Sequence, residues 1–595
     1  MFKVLLIWIY VFITTYILGY GTLEFLTGLP VMQRKSASSG KLQKYNIRFF
    51  ESYIFAGLIF ANIYAEIWSI FGGVGVHANL VMLLFCGVIV YHYHSDMFDG
   101  IGMCAHKVLA SKFAWVYILL IFVMAYGTSH GIMHYDSDLY HAQAIEWIEK
   151  YGVVKGLGNL HLRLGYNSAS FALTALYSFH SVNGQSYHVM TGFFALLLAW
   201  QCVDIKHLVR RKYPVLSDFV RLAAIYYLFT IYDEMVAPAS DYFIGCLLFY
   251  IIIHWLDLLV LHEKNYAPFV FLTFAAVYTT TVKLSAAMLM LLAIKPIVQL
   301  VRTRKKDSAV PILFSVAMSL LISIPFFVRN VILSGWLIYP FTSIDLFNVP
   351  WKVPKGQAAY DTKEIMVYGR GYTDVLQYDM PFSQWFPNWF SQIGNLNKMF
   401  LILDVAAVII FIASVLYLVI SDKNAKAKKT FGVFHLSHRR VVSLADFLLV
   451  DGVLIASMIY WLLSSPLIRY GSVYLWIVAA VVYGRIFILL FTKVRQSLAP
   501  WFYGAVMAAL LLVIVIKGSI CVIEEAPRFN PVYFFEQQDY GEYEVAEYEV
   551  NGITFYYPVE GDRVGYAPFP SAPTKETFVM LGDSIRDGFG SIYAE

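Results

Sequence analysis

Charged residues are scarce in this chain. Asp, Glu, Lys and Arg together make up 14% of its 595 residues, whereas 59% of the residues are hydrophobic and the mean hydropathy is +0.62. The core of a soluble protein cannot hide that much apolar surface. The composition therefore excludes an ordinary soluble protein and predicts one that crosses a membrane many times.

Several sequence signatures of cofactor and redox chemistry are also missing. The five cysteines show no pairing pattern, and all but Cys104 lie in or beside apolar segments, so we expect no disulfide framework. The chain has no Gly-rich loop to cradle a nucleotide phosphate, no zinc-type Cys/His spacing and no internal repeat. The sequence therefore requires no cofactor, and we expect no nucleic-acid partner.

Apolar stretches long enough to cross a bilayer recur along the chain. A spanning helix needs roughly 20 apolar residues, because the hydrocarbon core is about 30 Å thick. We predict an all-α bundle of about 14 spans. They are 3–22, 49–71, 78–94, 113–128, an odd number of crossings within 166–204, 219–231, 242–260, 268–281, 284–300, 311–328, 398–420, 446–463, 472–491 and 500–519. Polar residues split 166–204, so either its first piece is a half-helix or the predicted topology is wrong there.

Positive charge is concentrated on one side of this predicted bundle. Seven loops hold 24 of the 44 Lys and Arg residues, namely 28–48, 95–112, 205–218, 261–267, 301–310, 421–445 and 492–498. Loops rich in Lys and Arg face the cytoplasm. The amino terminus is then predicted to lie outside. So are the segments 129–165, 232–241, 331–397 and 464–471, and everything after residue 520.

The sequence predicts two domains. Residues 1–520 form a transmembrane domain that carries the four outer loops, and residues 521–595 form a small outer domain. Runs with high strand propensity, such as 553–557, alternate with Gly and Pro in the second domain and predict strands there.

A pair of carboxylates opens the first long outer loop. Asp136 and Asp138 are flanked by His134 and His141, and apolar residues then recur with helical spacing up to Gly152. This spacing predicts an amphipathic helix that lies along the membrane surface. The carboxylates either cap this helix or form a site for proton abstraction or for a divalent cation.

Further charged residues lie at predicted outer ends of spans. We predict secondary acidic or acceptor-binding roles for His134 and His141 and for the acidic turns at Asp233, Glu234 and Asp241. The cations Lys283, Arg329 and Arg469 each either reach the interface or pair with these acids, or all three together bind a phosphate. A charge at membrane depth needs a partner or water. His161 and Arg163 either contact an acceptor or order their loop.

Four sequence patterns carry a resemblance to a known superfamily. They are the first outer loop with Gly-Leu-Gly-Asn-Leu-His-x-Arg-Leu-Gly (156–165), Thr-x-Lys-x-Ser (281–285), Arg-Asn-x-x-x-Ser-Gly-x-x-x-Tyr-Pro (329–340) and Ser-Ser-Pro-x-x-Arg-Tyr-Gly (464–471). From about residue 110 onward the chain resembles the glycosyltransferase-C superfamily. More narrowly it resembles uncharacterised bacterial multispan proteins of that fold, distant kin of protein mannosyltransferases and lipid A aminoarabinose transferases.

The resemblance implies a function and roles for the site residues. It implies transfer of a sugar from a polyprenyl-phosphate donor to a glycan or lipid-linked acceptor, with Asp136 as catalytic base and Lys283, Arg329 and Arg469 at the donor phosphate. The site would face the periplasm or exterior from the bacterial cytoplasmic membrane. Asp-Ser-Asp departs from the usual Asp-Glu pair, so Asp138 is either a second carboxylate or, with Asp136, a ligand of Mg²⁺ or Mn²⁺. The four spans before the motif also exceed the single one usual there.

Two other functions fit parts of the same pattern. A polysaccharide polymerase also uses lipid-linked sugars but joins whole repeat units. A lipid-linked oligosaccharide flippase or transporter would place charges at mid-membrane and would be expected to show inverted repeats. The charges here collect near one face, which favours the transferase.

Overall fold

Most of the chain is helical, as the apolar segments predict. The structure is a computed structural model that describes residues 1–35, 41–208, 213–304, 307–424, 441–493, 499–575 and 577–593. In chain order the helices are α1 (Phe2–Gly28), α2 (Glu51–Phe71), α3 (Val76–Leu109), α4 (Ala114–Ser129), α5 (Ala142–Lys150), α6 (Leu157–Leu160), α7 (Ala169–Leu176), α8 (His180–Asn183), α9 (Met190–Cys202), α10 (Leu216–Thr230), α11 (Ser240–Val260), α12 (Ala267–Val282), α13 (Ile294–Arg304), α14 (Ala309–Ser334), α15 (Lys355–Gly369), α16 (Phe382–Gln392), α17 (Asn395–Asn424), α18 (Leu444–Ser464), α19 (Ile468–Lys493) and α20 (Ala499–Glu525).

Ten helices of the described chain are long and apolar enough to cross a membrane. They are α1, α2, α3, α11, the continuous stretch 284–304, α14, α17, α18, α19 and α20. Each of the other four predicted spans also contains a helix, but α4, α9, α10 and α12 have only 16, 13, 15 and 16 residues. A multi-pass membrane protein is therefore confirmed, and the count of 14 crossings stays a prediction.

The ambiguous stretch 166–204 contains a half-helix. Its first piece forms α7, whose eight residues extend only about 12 Å and cannot cross the bilayer. Its second piece forms α9, which packs against α4, α10 and α11. The first of the two alternatives for this stretch is thus confirmed.

Close helix packing at the start of the chain depends on two glycines. A Cβ atom on Gly19 would come within 1.7 Å of the Tyr53 carbonyl oxygen, and one on Gly57 within 1.7 Å of the Thr15 carbonyl oxygen. Small residues at such positions let the backbones of α1 and α2 approach closely. The most enclosed span, α11, is buried along nearly its whole length, and its first turn is part of the site described below.

The C-terminal residues form the small strand-containing region that the sequence predicts. Strands β3 (Val545–Val550) and β4 (Ile553–Pro558) pair as a hairpin around Asn551 and Gly552, both of which have positive φ. Such a two-residue turn matches the twist of the flanking strands. A second hairpin pairs β5 (Phe578–Met580) with β6 (Phe589–Ser591), and the remaining strands β1 (Arg34–Lys35) and β2 (Leu42–Gln43) pair near the amino terminus.

The amphipathic helix is present as α5, but its surroundings differ from the prediction. It ends at Lys150, and Gly152 follows with a φ of +79°, as predicted. All residues from Ala142 to Glu149 are buried. The residues after α20, 526–575 and 577–593, which we call the C-terminal segment, cover the polar face of α5. For example, the Gln143 side chain donates hydrogen bonds to the carbonyl oxygens of Gly565, Tyr566 and Pro568. The prediction that this helix lies on a membrane surface was therefore wrong.

Both ends of the described chain lie on one face. The backbone nitrogen of Met1 lies 2.5 Å from the carbonyl oxygen of Tyr533 in the C-terminal segment. The loop after α4, the start of α11, the end of α12 and the start of α19 meet at this same face, as the contacts below show. The charged residues of the candidate site lie at these helix ends.

Candidate active site

The residues around the paired carboxylates form an irregular helical turn. Ser137–His141 make one π-helical turn that leads into α5, and Asp136 precedes it. The Asp136 side chain makes no capping hydrogen bond. Its backbone N–H donates to His134 Nδ1 at 3.1 Å. Single π-helical turns are rare and frequent at functional sites, so the local geometry favours a functional carboxylate over a helix cap.

Asp136 belongs to a chain of ion pairs that joins four separate parts of the sequence. Its Oδ2 lies 2.8 Å from Nη2 of Arg469 at the start of α19. Arg469 Nε lies 3.0 Å from Oδ2 of Asp241 in the first turn of α11, and the ammonium of Lys283, just after α12, contacts the other oxygen of Asp241. The structure therefore brings together four of the residues that the sequence singled out.

Two further side chains complete this cluster. The Lys283 ammonium lies 3.6 Å from the centre of the Tyr470 ring, and the Arg469 guanidinium lies 5.1 Å from it. His134 Nδ1 lies 3.7 Å from Asp136 Oδ2 and 3.5 Å from Arg469 Nη1. Sequence analysis did not select Tyr470, although it lies beside Arg469 in the Ser-Ser-Pro-x-x-Arg-Tyr-Gly motif. We call Asp136, Arg469, Asp241, Lys283, Tyr470 and His134 the charged cluster.

The electrostatic surroundings keep Asp136 ionised. Burial works to raise the pKa of Asp136, but His141, Arg469 and His134 outweigh it and hold the pKa below its usual value. Burial and the neighbouring Arg469 lower the pKa of His134, and burial lowers that of His141 to about 3. Both imidazoles are thus neutral at physiological pH, whereas the Asp136 carboxylate carries its negative charge.

Asp138 has different partners from Asp136. Its Oδ1 accepts a hydrogen bond from the Gly541 N–H at 2.9 Å, and its Oδ2 accepts one from the Tyr543 hydroxyl at 2.9 Å. Burial raises the pKa of Asp138. In the described part of the chain, no three His, Cys, Asp or Glu side chains form a group that could hold a metal ion. The Mg²⁺ or Mn²⁺ ion therefore stays a prediction.

Arg329 forms its ion pair with a residue outside the charged cluster. Its Nη1 is 3.6 Å from Oε1 of Glu66 on α2, and the two side chains are 2% and 1% exposed. A cavity of about 20 Å³ beside Arg329 is also lined by Tyr166 and Asn167. A carboxylate buried this deeply needs a cation nearby, which explains why Arg329 is drawn to Glu66. The described ion pair of Arg329 is thus with Glu66 and not with a member of the charged cluster, and its role at a donor phosphate stays a prediction.

Arg163 interacts electrostatically with Asp136 of the charged cluster and with Asp361 of a second polar network. Burial works to lower its pKa, but Tyr166, Tyr140, Asp136 and Asp361 raise it. Asp361 is buried and accepts hydrogen bonds from the hydroxyls of Tyr166 at 2.7 Å and of Tyr339 at 3.0 Å. Sequence analysis missed Asp361, because nothing in the long loop around it marks a buried carboxylate.

The other two candidate histidines of the loop, His141 and His161, are buried or partly buried. His141 Nδ1 lies 3.4 Å from the Ser137 hydroxyl, within the π-helical turn. Burial and the charge of Arg163 lower the pKa of His161 to about 3. Its side chain therefore stays neutral at physiological pH, and its contact with an acceptor stays a prediction.

The acidic turn before α11 has two separate roles. Asp233 Oδ2 lies 3.1 Å from Arg528 Nη1 in the C-terminal segment, and its carbonyl oxygen accepts the Ile132 N–H at 2.5 Å. Glu234 accepts a hydrogen bond from the Tyr242 hydroxyl, and burial raises its pKa. Asp233 thus connects the outer segments, whereas Glu234 flanks the cluster next to Asp241.

One protein family matches the chain. Its sequence profile, described as a domain of unknown function (DUF8201), matches residues 1–476. The protein belongs to the DUF8201 family. No curated protein and no solved structure matches the chain.

The DUF8201 match covers one part of the candidate site and not the other. Residues 1–476 contain every member of the charged cluster, from His134 to Tyr470. They leave out the last part of α19, α20 and the C-terminal segment that contacts Asp138. The cluster is therefore within the part of the chain that the DUF8201 family describes.

Proposed function

We propose that this protein is a membrane glycosyltransferase of the glycosyltransferase-C type. It moves a sugar from a polyprenyl-phosphate donor to a glycan or lipid-linked acceptor at the outer face of the bacterial cytoplasmic membrane. The observation that carries the proposal is the contact chain from Asp136 through Arg469 and Asp241 to Lys283 at the shared ends of the helices. A carboxylate that can act as a general base and two cations that can bind a phosphate thus lie within one partly buried group.

The chemistry follows from these groups. The Asp136 carboxylate takes the proton of an acceptor hydroxyl, and the hydroxyl oxygen attacks the anomeric carbon of the donor sugar. The bond from that carbon to the phosphate oxygen breaks, and the lipid phosphate leaves with the electron pair. Attack from the face opposite the leaving group inverts the configuration. Lys283 and Arg469 stabilise the charge that grows on the phosphate.

The order of the ion pairs suits this reaction. The base Asp136 and the cation Lys283 are at opposite ends of the chain, with Arg469 and Asp241 between them. The donor phosphate can then meet Lys283 at the end of the chain of ion pairs that lies away from the base. Asp241 neutralises both cations before the donor binds, which lowers the cost of holding them at the edge of a membrane.

An apolar groove supports a lipid donor. A cavity of about 330 Å³ lies between α12, α14 and the residues that follow Lys283, and it contains Val277, Met290 and Phe327. The first part of the span that begins there, Leu284–Ala293, is a 3₁₀-helix rather than an α-helix. Such long 3₁₀ stretches are uncommon and often mark functional positions. A polyprenyl chain in this groove would bring its phosphate towards Lys283.

Purified protein incubated with radiolabelled polyprenyl-phosphate sugars and cell-envelope acceptors tests the proposal. We expect label transfer by the wild type and a loss of at least about 1,000-fold in Asp136→Asn, because the amide cannot accept the proton. Asp379→Asn, a matched change in the outer loop 331–397, should keep wild-type activity. Substantial transfer by Asp136→Asn would remove that residue from the role of base.

A further inference from the structure

Asp138 makes four of the hydrogen bonds that join the C-terminal segment to the outer loop 129–165, which carries Asp136. Besides the two hydrogen bonds to its carboxylate from Gly541 and Tyr543, its carbonyl oxygen accepts the N–H groups of Val564 at 3.2 Å and Gly565 at 2.9 Å. Asp138 is 4% exposed. One residue therefore ties two stretches of the C-terminal segment to the turn that follows Asp136.

The fit around Asp138 leaves no room for larger residues. A Cβ atom on Gly541 would come within 2.8 Å of both Asp138 Oδ2 and the Tyr543 hydroxyl. Gly565 has a φ of +71°, and a Cβ there would lie 2.1 Å from the Gly541 carbonyl oxygen. Glycines at these positions allow the backbone to approach the carboxylate closely.

Contacts on both sides of Asp136 involve the same segment. The Tyr135 hydroxyl donates to Asp562, and the Arg563 guanidinium lies 4.7 Å from the Tyr135 ring and 4.8 Å from the Tyr543 ring. Further along the loop, Gln143 donates to three carbonyl groups of the segment. Asp136 lies between these contacts and directs its own carboxylate to Arg469 instead.

We propose that Asp138 is a positioning residue rather than a second catalytic carboxylate. Its hydrogen bonds hold the π-helical turn against the C-terminal segment, and the turn holds Asp136 towards Arg469. A π-helical turn is seldom stable alone, and this one has no side-chain cap, so an external support is required. The catalytic part of this inference rests on the proposed function, whereas the positional part does not.

Asn and Ala substitutions at position 138 distinguish a positioning role from a catalytic role. In Asp138→Asn the amide oxygen still accepts the Gly541 N–H, and the amide nitrogen can donate to the Tyr543 oxygen. A positioning role therefore survives Asp138→Asn, but a role as base or metal ligand requires the negative charge. Asp138→Ala removes both side-chain hydrogen bonds and keeps only the two that the backbone carbonyl accepts, so it weakens positioning as well.

Hydrogen exchange of the full-length protein in lipid nanodiscs tests the positional part without any substrate. In Asp138→Ala we expect the N–H groups of Gly541 and Asp136 to exchange at least about tenfold faster. A change of that size corresponds to the free energy of roughly one buried hydrogen bond. Asp138→Asn should change exchange less than about threefold, and Tyr543→Phe should give an intermediate result. Tyr556→Phe, in β4, is the matched control. Unchanged exchange at Asp136 in Asp138→Ala overturns the proposal.

Transfer kinetics provide the second measurement. We expect Asp138→Asn to retain at least a third of kcat. Asp138→Ala should lose about tenfold or more in kcat, with an unchanged donor KM and with kcat falling at the same low pH as in the wild type. If Asp138→Asn is as inactive as Asp136→Asn, Asp138 is catalytic and the inference is overturned. If the wild type transfers no sugar at all, the proposed function fails, and the exchange result alone decides whether Asp138 positions Asp136.

Discussion

At the scale of single residues, the charges of the cluster depend on one another. Arg469 touches both Asp136 and Asp241, and Lys283 touches Asp241. All four side chains are partly or largely buried, so solvent screens these contacts less than it would on an open surface. Removing one member therefore changes the protonation of the others as well as the contacts with a substrate.

Arg469→Gln should shift the pH dependence of transfer. The pKa of Asp136 is held below its usual value of 3.8, so the base is ionised above that pH and is lost as the pH falls through the lowered pKa. Without the Arg469 charge the pKa of Asp136 rises, and the acid limb of kcat moves to higher pH. A pH profile of single-turnover rates measures the shift. Arg469→Lys, which keeps the charge, should leave the limb near its original position, and an unmoved limb in Arg469→Gln would contradict this account.

Lys283→Met and Arg329→Met should have different effects. Lys283→Met should raise the donor KM at least about tenfold, because a charge-assisted bond to the phosphate is lost. Arg329→Met should instead lower the stability by about 3–5 kcal/mol, since Glu66 stays buried without its cation. Thermal unfolding and donor titration distinguish the two. Restored stability in the double variant Arg329→Met with Glu66→Met would confirm the reason, and a donor-specific defect in Arg329→Met would return that residue to the phosphate site.

At the scale of helices, the sequence predicted the positions of the helices along the chain better than it predicted which residues contact one another. All 14 apolar stretches contain helices, because hydrophobic length is a local property. Asp241, Lys283 and Arg469 were found because charges at the ends of apolar helices are few and must find partners. Arg329 looked the same locally, but its partner Glu66 lies within a different apolar helix. The burial of α5 depends on residues more than 400 positions away and has no local signal.

Two carboxylates inside the bundle were also invisible to the sequence search. Asp404 on α17 and Asp451 on α18 are both fully buried, and none of their four oxygens has a hydrogen-bond partner in the described structure. Burying such groups is costly, and apolar replacements of buried charges are often stabilising. We expect Asp404→Leu to stabilise the protein by about 1–3 kcal/mol. Thermal unfolding in one detergent measures this change. Ala407→Leu, an apolar change one turn away at another buried position, is the control for packing. Destabilisation by Asp404→Leu alone would indicate that the carboxyl group has a partner or a function.

At the scale of the whole molecule, the position of the site depends on sidedness. The first helix, the base loop and the C-terminal segment contact one another on one face, through Met1 with Tyr533 and through Asp138 with Gly541. The distribution of Lys and Arg predicts that this face is outside. A lipid-linked donor and an extracellular glycan acceptor require that orientation.

Cysteine labelling in intact cells tests the orientation directly. In a variant without the five native cysteines, single cysteines at Ser584 and Asp379 should react with a membrane-impermeant maleimide, because both positions belong to the face of the charged cluster. A cysteine at Lys264, between α11 and α12, should react only after the membrane is permeabilised. The reverse pattern would place Asp136 and Arg469 on the cytoplasmic side, where an extracellular acceptor cannot reach them, and the proposed reaction would then need a cytoplasmic acceptor. Since α11 and α12 are antiparallel and carry Asp241 and Lys283 at one end, labelling at Lys264 reports on the opposite end of the same hairpin.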